Sequence, residues 1–375
     1  MDETMTPAPI PGDTSHIVAI LEKAKWAPSG DNDQPWRFEI LDASRVRVHC
    51  ADTSGHCVYD LEGWPSQIAM GAMFETMAIA ATAHGLATGV QRCEGCSDQE
   101  PVFDVTFTAQ PGISPDLLIP AIERRSVQRR PMSRRALTGA EKEALERAVG
   151  SSFTVQWLEG GARMDAARLM YNNARLRLLM PEAYTVHKRV IRWGKDKSAW
   201  GVPDQALGVD NMTLHLMKWA MVSWDRLKTM NTLMGTWAPR LQMDLVPGLA
   251  CAAHFVLRAR VQPSSVADYV AAGRAVQRFW LTLTQLGLVM QPEMTPLIFS
   301  SYVRNGREFT GTGKLKDMAA GLAGQFDRLL GQQEGTPVFM GRLGQGKQPA
   351  ARSTRPQLAD LMHGTARTAP GHAPE

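Results

Sequence analysis

Hydrophobic and polar positions repeat along this chain with two periods, one typical of helices and one typical of strands. Helical spacing of apolar residues predicts helices over about 15–26, 65–85, 116–123, 139–149 and 265–286. Apolar runs and alternating positions predict strands over 37–41, 45–50, 102–108, 249–260 and 336–343. Because both kinds of element occur throughout the chain, we expect an α+β fold.

The middle of the chain is predominantly helical in pattern. Periodic segments predict helices over about 162–179, 182–193, 211–220 and 222–234. The region is rich in Trp and Met, which could form an ordinary helical core or a lid over a binding pocket. At the other end, residues 346–375 are rich in Pro, Ala, Gly, Thr and Arg and are predicted to form a flexible C-terminal tail.

A weak internal repeat divides the chain into two halves. Residues 14–24 resemble residues 138–148, at an offset of 124, and residues 71–86 resemble residues 273–288, at an offset of 202. The second offset is larger by 78 residues, which predicts an insertion in the second copy, at about 160–245. We therefore expect a first half over 14–110 and a second half over 116–345.

Composition and charge exclude several classes of protein. The 375 residues include 41 Lys and Arg against 37 Asp and Glu, and a net charge of +4 is too small for a dedicated nucleic-acid binder. The N-terminal residues lack the apolar core of a secretory signal, and no apolar run is long enough to span a membrane. A cytoplasmic protein that binds neither nucleic acid nor membrane is expected.

Isolated titratable residues give weaker signals. Five cysteines do not make a disulfide scaffold, and Cys93 and Cys96 lack a second ligand pair, so no metal site is predicted; a structural zinc or a redox pair are the alternatives. We expect Asp60 to be a surface carboxylate. His84 and His254 are expected to be hydrogen-bonded core histidines rather than catalytic groups.

Two segments carry most of the candidate chemistry. The loop 28–36 combines small residues with Ser29, Asn32 and Gln34, a set that can hold the polar edge of a flat heteroaromatic ring. Alternatively, it simply connects a helix to a strand and places Trp36 in the core. Six arginines lie within 124–135, and guanidinium groups bind phosphate oxygens in pairs; the alternative is a solvated, charged linker.

The two segments together resemble the motifs of the FMN-dependent nitroreductase family. The matching residues are Ala-Pro-Ser-x-x-Asn-x-Gln-Pro-Trp at 27–36 and Arg-Arg-Ser-x-x-Arg-Arg at 124–130. Their order is reversed relative to ordinary members, as in the Acg-like branch, in which two nitroreductase-like halves are fused. The resemblance implies a nitroreductase-like sandwich whose two pseudo-symmetric halves mimic the family dimer, with one composite FMN site per chain.

The resemblance also implies how the phosphate end of FMN is bound. Arg124 and Ser126 match the phosphate-binding positions, Arg125 flanks them, and Arg355 matches a C-terminal basic segment that closes over the phosphate. Gln128 matches a position, often basic in the family, whose side chain reaches the N1/O2 edge of the flavin. The missing positive charge there would stabilise the reduced flavin less.

The remaining cofactor-binding residues implied by the resemblance contact the flavin ring. They are Pro28, Ser29 and Gly30 along the ring and ribityl chain, Asn32 and Gln34 beyond it, and the backbone N–H of Met294 or Thr295 facing N5. No catalytic side chain is assigned, because in this family the flavin itself performs the redox step.

The implied activity is an FMN-dependent oxidoreductase. NADH or NADPH would donate electrons, and a small molecule such as a nitroaromatic, quinone or enone would accept them. The protein would be a monomer, as a pseudo-dimer, or a homodimer. Two alternatives remain open: a flavin-sequestering protein with little turnover, and a biosynthetic tailoring enzyme of the same fold.

Overall fold

Two four-stranded antiparallel sheets, one from each half of the chain, form the framework of the computed structural model, which describes residues 13–365. The elements of the first half, and those that follow it up to the first strand of the second sheet, are α1 (Ser15–Ala24), β1 (Trp36–Asp42), β2 (Arg45–Cys50), α2 (Trp64–Ala81), β3 (Leu86–Arg92), β4 (Val102–Ala109), α3 (Ala121–Arg124), α4 (Gly139–Ala148) and β5 (Phe153–Leu158).

A mostly helical insertion follows β5, where β1 and β2 of the first half are joined by a tight turn. Its elements are α5 (Gly160–Leu178), α6 (Pro181–Val190), β6 (Ile191–Arg192), β7 (Lys197–Ser198), β8 (Val202–Pro203), α7 (Asn211–Ala220), α8 (Trp224–Met234), α9 (Trp237–Arg240) and α10 (Val246–Leu249). A π-helical turn over Leu241–Leu245 joins the last two helices.

The chain then completes the second sheet. The remaining elements are β9 (Ala253–Ala259), α11 (Val266–Gln285), β10 (Leu288–Pro292), α12 (Thr295–Asn305), α13 (Gly313–Leu330), β11 (Thr336–Gln345) and β12 (Arg352–Ser353). The first sheet has the order β1-β2-β4-β3 and the second has the order β5-β9-β11-β10. In chain order within each half, both sheets therefore run first, second, fourth, third.

Most sequence-predicted elements are confirmed within a few residues. Helix α4 begins after Thr138, whose side chain forms a capping box with Glu141, and α11 begins after Ser265, which forms another with Asp268. The predicted helix 116–123 is wrong in extent, because only Ala121–Arg124 is helical. The sequence also missed β3, a strand with no fully buried residue and hence no apolar alternation, and it missed β10, α12 and α13.

The central helices α2 and α11 cross in direct backbone contact. A Cβ atom on Gly71 would lie 2.0 Å from the carbonyl oxygen of Val270, and one on Gly273 would lie 2.0 Å from that of Ile68. Neither position can hold any side chain other than hydrogen. The crossing packs the two halves against each other along the seam between the two helices.

Polar side chains reinforce the same seam. Gln277 donates a hydrogen bond to the hydroxyl of Thr76 at 2.8 Å, and both residues are buried. The buried carboxylate of Glu75 pairs with Arg274 at 2.8 Å and with Arg278 at 2.7 Å. Buried polar groups stabilise a fold only when they are partnered, so these contacts also favour one relative position of the helices.

The C-terminal segment does not extend freely before residue 366, contrary to the tail predicted from 346. Strand β12 pairs in parallel with β7, and Leu361 is fully buried in the core of the first half. The backbone N–H of His363 donates to the carbonyl of Phe38 at 2.7 Å. Two apolar side chains, Leu358 and Leu361, anchor a stretch that is otherwise polar, and such sparse anchors are hard to recognise in sequence. The rest of the predicted tail, 366–375, lies outside the described residues.

Within residues 13–365, no helix is both long and apolar enough to cross a membrane.

The helix crossing makes a direct prediction for stability. Gly71→Ala would place a methyl group against a backbone carbonyl that cannot move without separating α2 from α11, so we expect the free energy of unfolding to fall by about 3 kcal/mol. Gly321→Ala is the matched control, because Gly321 lies within helix α13 with open space around it. The control should raise the free energy of unfolding by about 0.5–1 kcal/mol. Urea titrations of both variants provide the measurement, and an unchanged Gly71→Ala would contradict the close crossing.

Candidate functional site

A cavity of about 360 Å³ lies at the seam between the halves. Its wall combines the loop after α1, the first turns of α2, the segment after α3, one face of α11, the turn between β10 and α12, and the segment around β12. The volume is within the range of about 300–1,000 Å³ that is usual for cofactor and ligand sites.

Nine of the twelve residues proposed from the sequence line this one cavity. They are Pro28, Ser29, Gly30, Asn32, Arg125, Ser126, Met294, Thr295 and Arg355. The fold therefore brings together segments that are far apart in sequence.

The other three predicted residues do not reach the cavity wall. Arg124 ends helix α3 with its side chain exposed, whereas Arg125 is only 4% exposed and lines the cavity. Gln128 is buried elsewhere: its side chain donates to the carbonyl of Lys347 at 2.7 Å and accepts from the N–H of Arg130 at 3.0 Å. Gln34 is also buried away from the cavity wall.

The loop between α1 and β1 has a strained backbone. Asp31, Asn32 and Gln34 all adopt positive φ angles, of 50°, 60° and 48°. Such conformations are costly for residues other than glycine and concentrate at functional sites. The side-chain amides of Asn32 and Gln34 each donate to the carbonyl of Ala199, both at 2.9 Å, which fixes the loop against the insertion.

Three arginines form what we call the first arginine cluster: Arg125, Arg352 and Arg355, all lining the cavity. Arg125 and Arg355 both donate to the carbonyl of Trp26, at 3.0 and 3.2 Å, and the guanidinium groups of Arg352 and Arg355 lie 5.4 and 5.7 Å from the Trp26 ring. Arg125 also lies over Trp280 at 4.5 Å. Their hydrogen-bond partners among the described residues are backbone carbonyls, and none is a carboxylate.

This first cluster is a concentration of positive charge without a matching anion. Burial, and then the neighbouring Arg355 and Arg352, hold the pKa of Arg125 well below its usual range. Burial and Arg352 likewise lower the pKa of Arg355 to about 9. The Nε atoms of all three guanidiniums are buried without a hydrogen-bond partner. A bound anion would relieve both the repulsion and the missing hydrogen bonds.

A buried ionic triad holds the turn between β10 and α12. Glu293 accepts from His254 at 2.6 Å and from Arg342 at 2.8 Å, and none of the three is more than 2% exposed. Glu293 directly precedes Met294 and Thr295, so the triad fixes the backbone that forms this part of the cavity wall. The hydroxyl of Thr295 is buried without a partner, and the first N–H groups of a helix have none within it.

The triad also sets the charge of His254. Burial alone would lower the pKa of this imidazole, but the charge of Glu293 and hydrogen bonds to Cys251 and Glu293 raise it to about 10. For Glu293, the ion pairs with His254 and Arg342 outweigh the effect of burial and lower the pKa of the carboxyl. His254 is thus the buried, hydrogen-bonded histidine that the sequence predicted, whereas His84 is exposed, so that expectation was wrong.

Several residues of the cavity wall escaped sequence reasoning. Arg129, Arg177 and Arg189 line it, as do Tyr59 and His187, whose Oη and Nε2 atoms are 3.0 Å apart. Only Arg129 belonged to a motif, and its neighbours had been chosen instead. The others come from segments without any pattern that would bring them to one place.

Asp60 is another correction. Expected at the surface, it is only 3% exposed, because Thr53 and Ser66 donate hydrogen bonds to its carboxylate from both side chain and backbone. Burial is the main cause that raises its pKa, to about 6.

Comparisons with known proteins give limited information. No family model matches the chain. The uncharacterised Mycobacterium tuberculosis (strain CDC 1551 / Oshkosh) protein MT1398 is 26% identical over 367 residues, covering 92% of this chain but 47% of its own length. The chain thus spans about half the length of this curated relative.

Two solved structures show a distant likeness. A nitroreductase-like family protein from Bacillus cereus matches 66% of this chain and 95% of its own, at 12% identity and a TM-score of 0.34. The FMN-dependent nitroreductase NfnB of Mycobacterium smegmatis, solved in complex with NADPH, matches 64% and 93%, at 13% identity and a TM-score of 0.35. Both TM-scores are low, so the likeness by itself assigns neither a fold family nor an activity.

The cysteines show no arrangement for a metal. All five are free thiols, and Cys93 and Cys96 are not part of the cluster of metal-ligating side chains found among the described residues. That cluster is Glu39, His49 and His363, whose ligand atoms lie within 4.8 Å of one another at the surface of the first sheet.

The raised pKa of His254 predicts how stability depends on pH. A protonated form favoured by folding contributes stability that is fully present below the unfolded value of 6.5 and is lost as pH rises through about 10. Between these values the loss due to this one group is at most about 1.4 kcal/mol per pH unit. Urea unfolding of the wild type and of His254→Gln at a series of pH values measures it. The variant should lack this slope, and the exposed His84→Gln should retain it; equal slopes in all three proteins would exclude a protonated His254.

Proposed function

We propose that this chain is an FMN-binding oxidoreductase of nitroreductase type, with one flavin between two fused, homologous halves. The observation that carries the proposal is the convergence on one cavity of two motifs almost ninety residues apart, one of them placing a buried, unpaired arginine there. The argument proceeds from the halves to the phosphate end and then to the ring.

Three structural correspondences support the duplication. Both sheets have the same order of strands. The bounds of α1 and α4 differ by the predicted 124 residues at both ends, and α2 and α11, like β3 and β10, begin 202 residues apart. The close contacts at the helix crossing are reciprocal under the same offset, since Ile68 and Gly71 correspond to Val270 and Gly273. These features are what a two-fold relation between the halves would produce.

The first arginine cluster fits the phosphate group of FMN. A phosphate monoester brings a charge of about −1.5 to −2 and three strong acceptor oxygens. Arg125, Arg352 and Arg355 bring three guanidiniums with unpartnered Nε atoms, and the half-buried Ser126 brings a hydroxyl in the same wall. Arg125 replaces the exposed Arg124 as the principal phosphate ligand in this assignment.

The remaining cavity wall fits the flavin ring. The backbone of Pro28–Gly30 would lie along the ring, and the N-terminal end of α12, with Thr295, offers N–H and hydroxyl donors to its polar edge. Since Gln128 lies outside the wall and Arg129 within it, the positive charge near the ring comes from Arg129. When bound, FMN would supply two-electron redox chemistry between NADH or NADPH and a small organic acceptor.

One observation favours the alternative of a flavin-storing protein. The segment around Ala199 and the C-terminal segment at Thr354 both accept hydrogen bonds from Asn32, so the insertion and the C-terminal segment cover the flavin-binding loop. Such a cover would slow the exchange of substrates. Anaerobic addition of NADPH and of NADH separates the two functions: an oxidoreductase loses its visible flavin absorbance with one of them, and a storage protein with neither.

The two neighbouring arginines give a matched test of the phosphate assignment. Arg125→Gln should weaken FMN binding roughly 10- to 100-fold, because charge-assisted hydrogen bonds contribute about 1.5–3 kcal/mol. Arg124→Gln removes the same charge one residue away, at an exposed position, and should leave binding unchanged. Fluorescence titration of the flavin-free proteins measures both, with circular dichroism to verify folding. Equal losses, or a loss only in Arg124→Gln, would contradict the assignment.

A further inference from the structure

We infer that the acceptor of this enzyme carries an anionic group, a carboxylate or a phosphate, and that Arg129, Arg177 and Arg189 bind it. These residues are called the second arginine cluster. The inference rests on the proposed function, which it extends by naming a substrate class.

Positive charge in the cavity exceeds what one phosphate needs. Six arginines line it against three aspartates, Asp31, Asp33 and Asp60. The first cluster accounts for three of the six and matches the cofactor phosphate. The three that remain are buried or half-buried, where an unpaired guanidinium is costly unless an anion binds it.

The second cluster is distinct from the first in its origin and in its contacts. Arg177 comes from α5 and Arg189 from α6, both in the insertion, whereas Arg129 follows the Arg-Arg-Ser motif. All three interact electrostatically with Asp31, and the charge interactions of Arg125 are instead with Arg352 and Arg355. Asp31 immediately follows Gly30, so the second cluster lies beside the loop assigned to the flavin ring.

The protein partners of the second cluster leave much of its hydrogen-bonding capacity free. Arg177 pairs with Asp244 at 3.1 Å, but its Nε is buried without a partner. Arg129 donates to the carbonyl of Ala206 at 3.3 Å, and within residues 13–365 Arg189 forms neither a hydrogen bond nor an ion pair. No hydrogen bond joins Asp31 to any of the three among these residues. Guanidinium donors are therefore available at the place where an acceptor would meet the ring.

The single carboxylate nearby does not neutralise the cluster. Burial and the neighbouring Asp33 raise the pKa of Asp31, more than the three arginines lower it. Nor does His187 add charge, because burial and Arg177 lower the pKa of its imidazole to about 3. The ring is partly accessible only because it faces the cavity. A site with three cations and at most one anion selects negatively charged ligands.

Binding to the oxidised, FMN-loaded protein tests the inference without turnover. The probes are para-nitrobenzoate and its neutral analogue para-nitrobenzamide, followed by the change in flavin absorbance and by the shift in thermal unfolding. The wild type should bind the carboxylate at least about tenfold more tightly than the amide. Para-nitrophenyl phosphate distinguishes phosphate from carboxylate, and tight binding of either supports the inference.

Two variants on helix α6 provide the decisive comparison. Arg189→Gln should weaken binding of para-nitrobenzoate about tenfold or more and leave para-nitrobenzamide unchanged. Lys188→Gln, at the exposed neighbouring position, removes the same charge and should change neither.

Three outcomes would overturn the inference: equal binding of the two probes, equal losses in the two variants, or a loss in Arg189→Gln confined to NADPH. The last would assign the cluster to the electron donor. A chain that retains no FMN would instead refute the proposed function, so the two failures are distinguishable.

Discussion

The crossing of α2 and α11 is the constraint on which the rest of the structure depends. At Gly71 and Gly273 the two backbones approach so closely that a single Cβ atom would collide with a carbonyl oxygen. The same two helices supply part of the cavity wall, with Ile68 and Ala72 on one and Val276 and Trp280 on the other. Any change in the distance between the helices would therefore change the width of the cavity. Two small residues fix the geometry of a site to which neither contributes a side chain.

Buried positive charge is the second determinant of the site. The stabilising partners of the first arginine cluster are carbonyl dipoles and aromatic faces, notably those of Trp26, and these orient a guanidinium without neutralising it. The ionic triad behind the β10–α12 turn is different, because Glu293 is paired with both His254 and Arg342. The protein thus pairs the charges that position its backbone and leaves unpaired those that face the cavity. That contrast is the reason for assigning the cavity to an anionic ligand.

The sequence predicted those parts of the fold that depend on local interactions. Helices α1, α4 and α11 have amphipathic faces, and the last two have capping boxes, so their ends were predictable within about two residues. Strand β3 was not predicted, because its side chains are half-exposed and do not alternate. The ordered C-terminal segment was not predicted either, because its order depends on pairing with β7, more than 150 residues earlier in the chain.

The site divides in the same way. The motif residues of the loop and of the Arg-Arg-Ser segment were identifiable from their types and spacing, but spacing could not tell Arg124 from Arg125. That choice depends on where α3 ends and on which side chain then faces the interior. The second arginine cluster, Tyr59 and His187 come from elements whose sequences carry no motif, and only tertiary structure brings them together.

The count of flavins per chain tests the central claim most directly. Purified protein saturated with FMN and freed of excess cofactor should contain one flavin per polypeptide, measured by absorbance against amino-acid analysis. One flavin in a protein whose mass in solution equals a single chain would show that the two halves complete one site between them. Two flavins per chain, or none retained at all, would contradict the account.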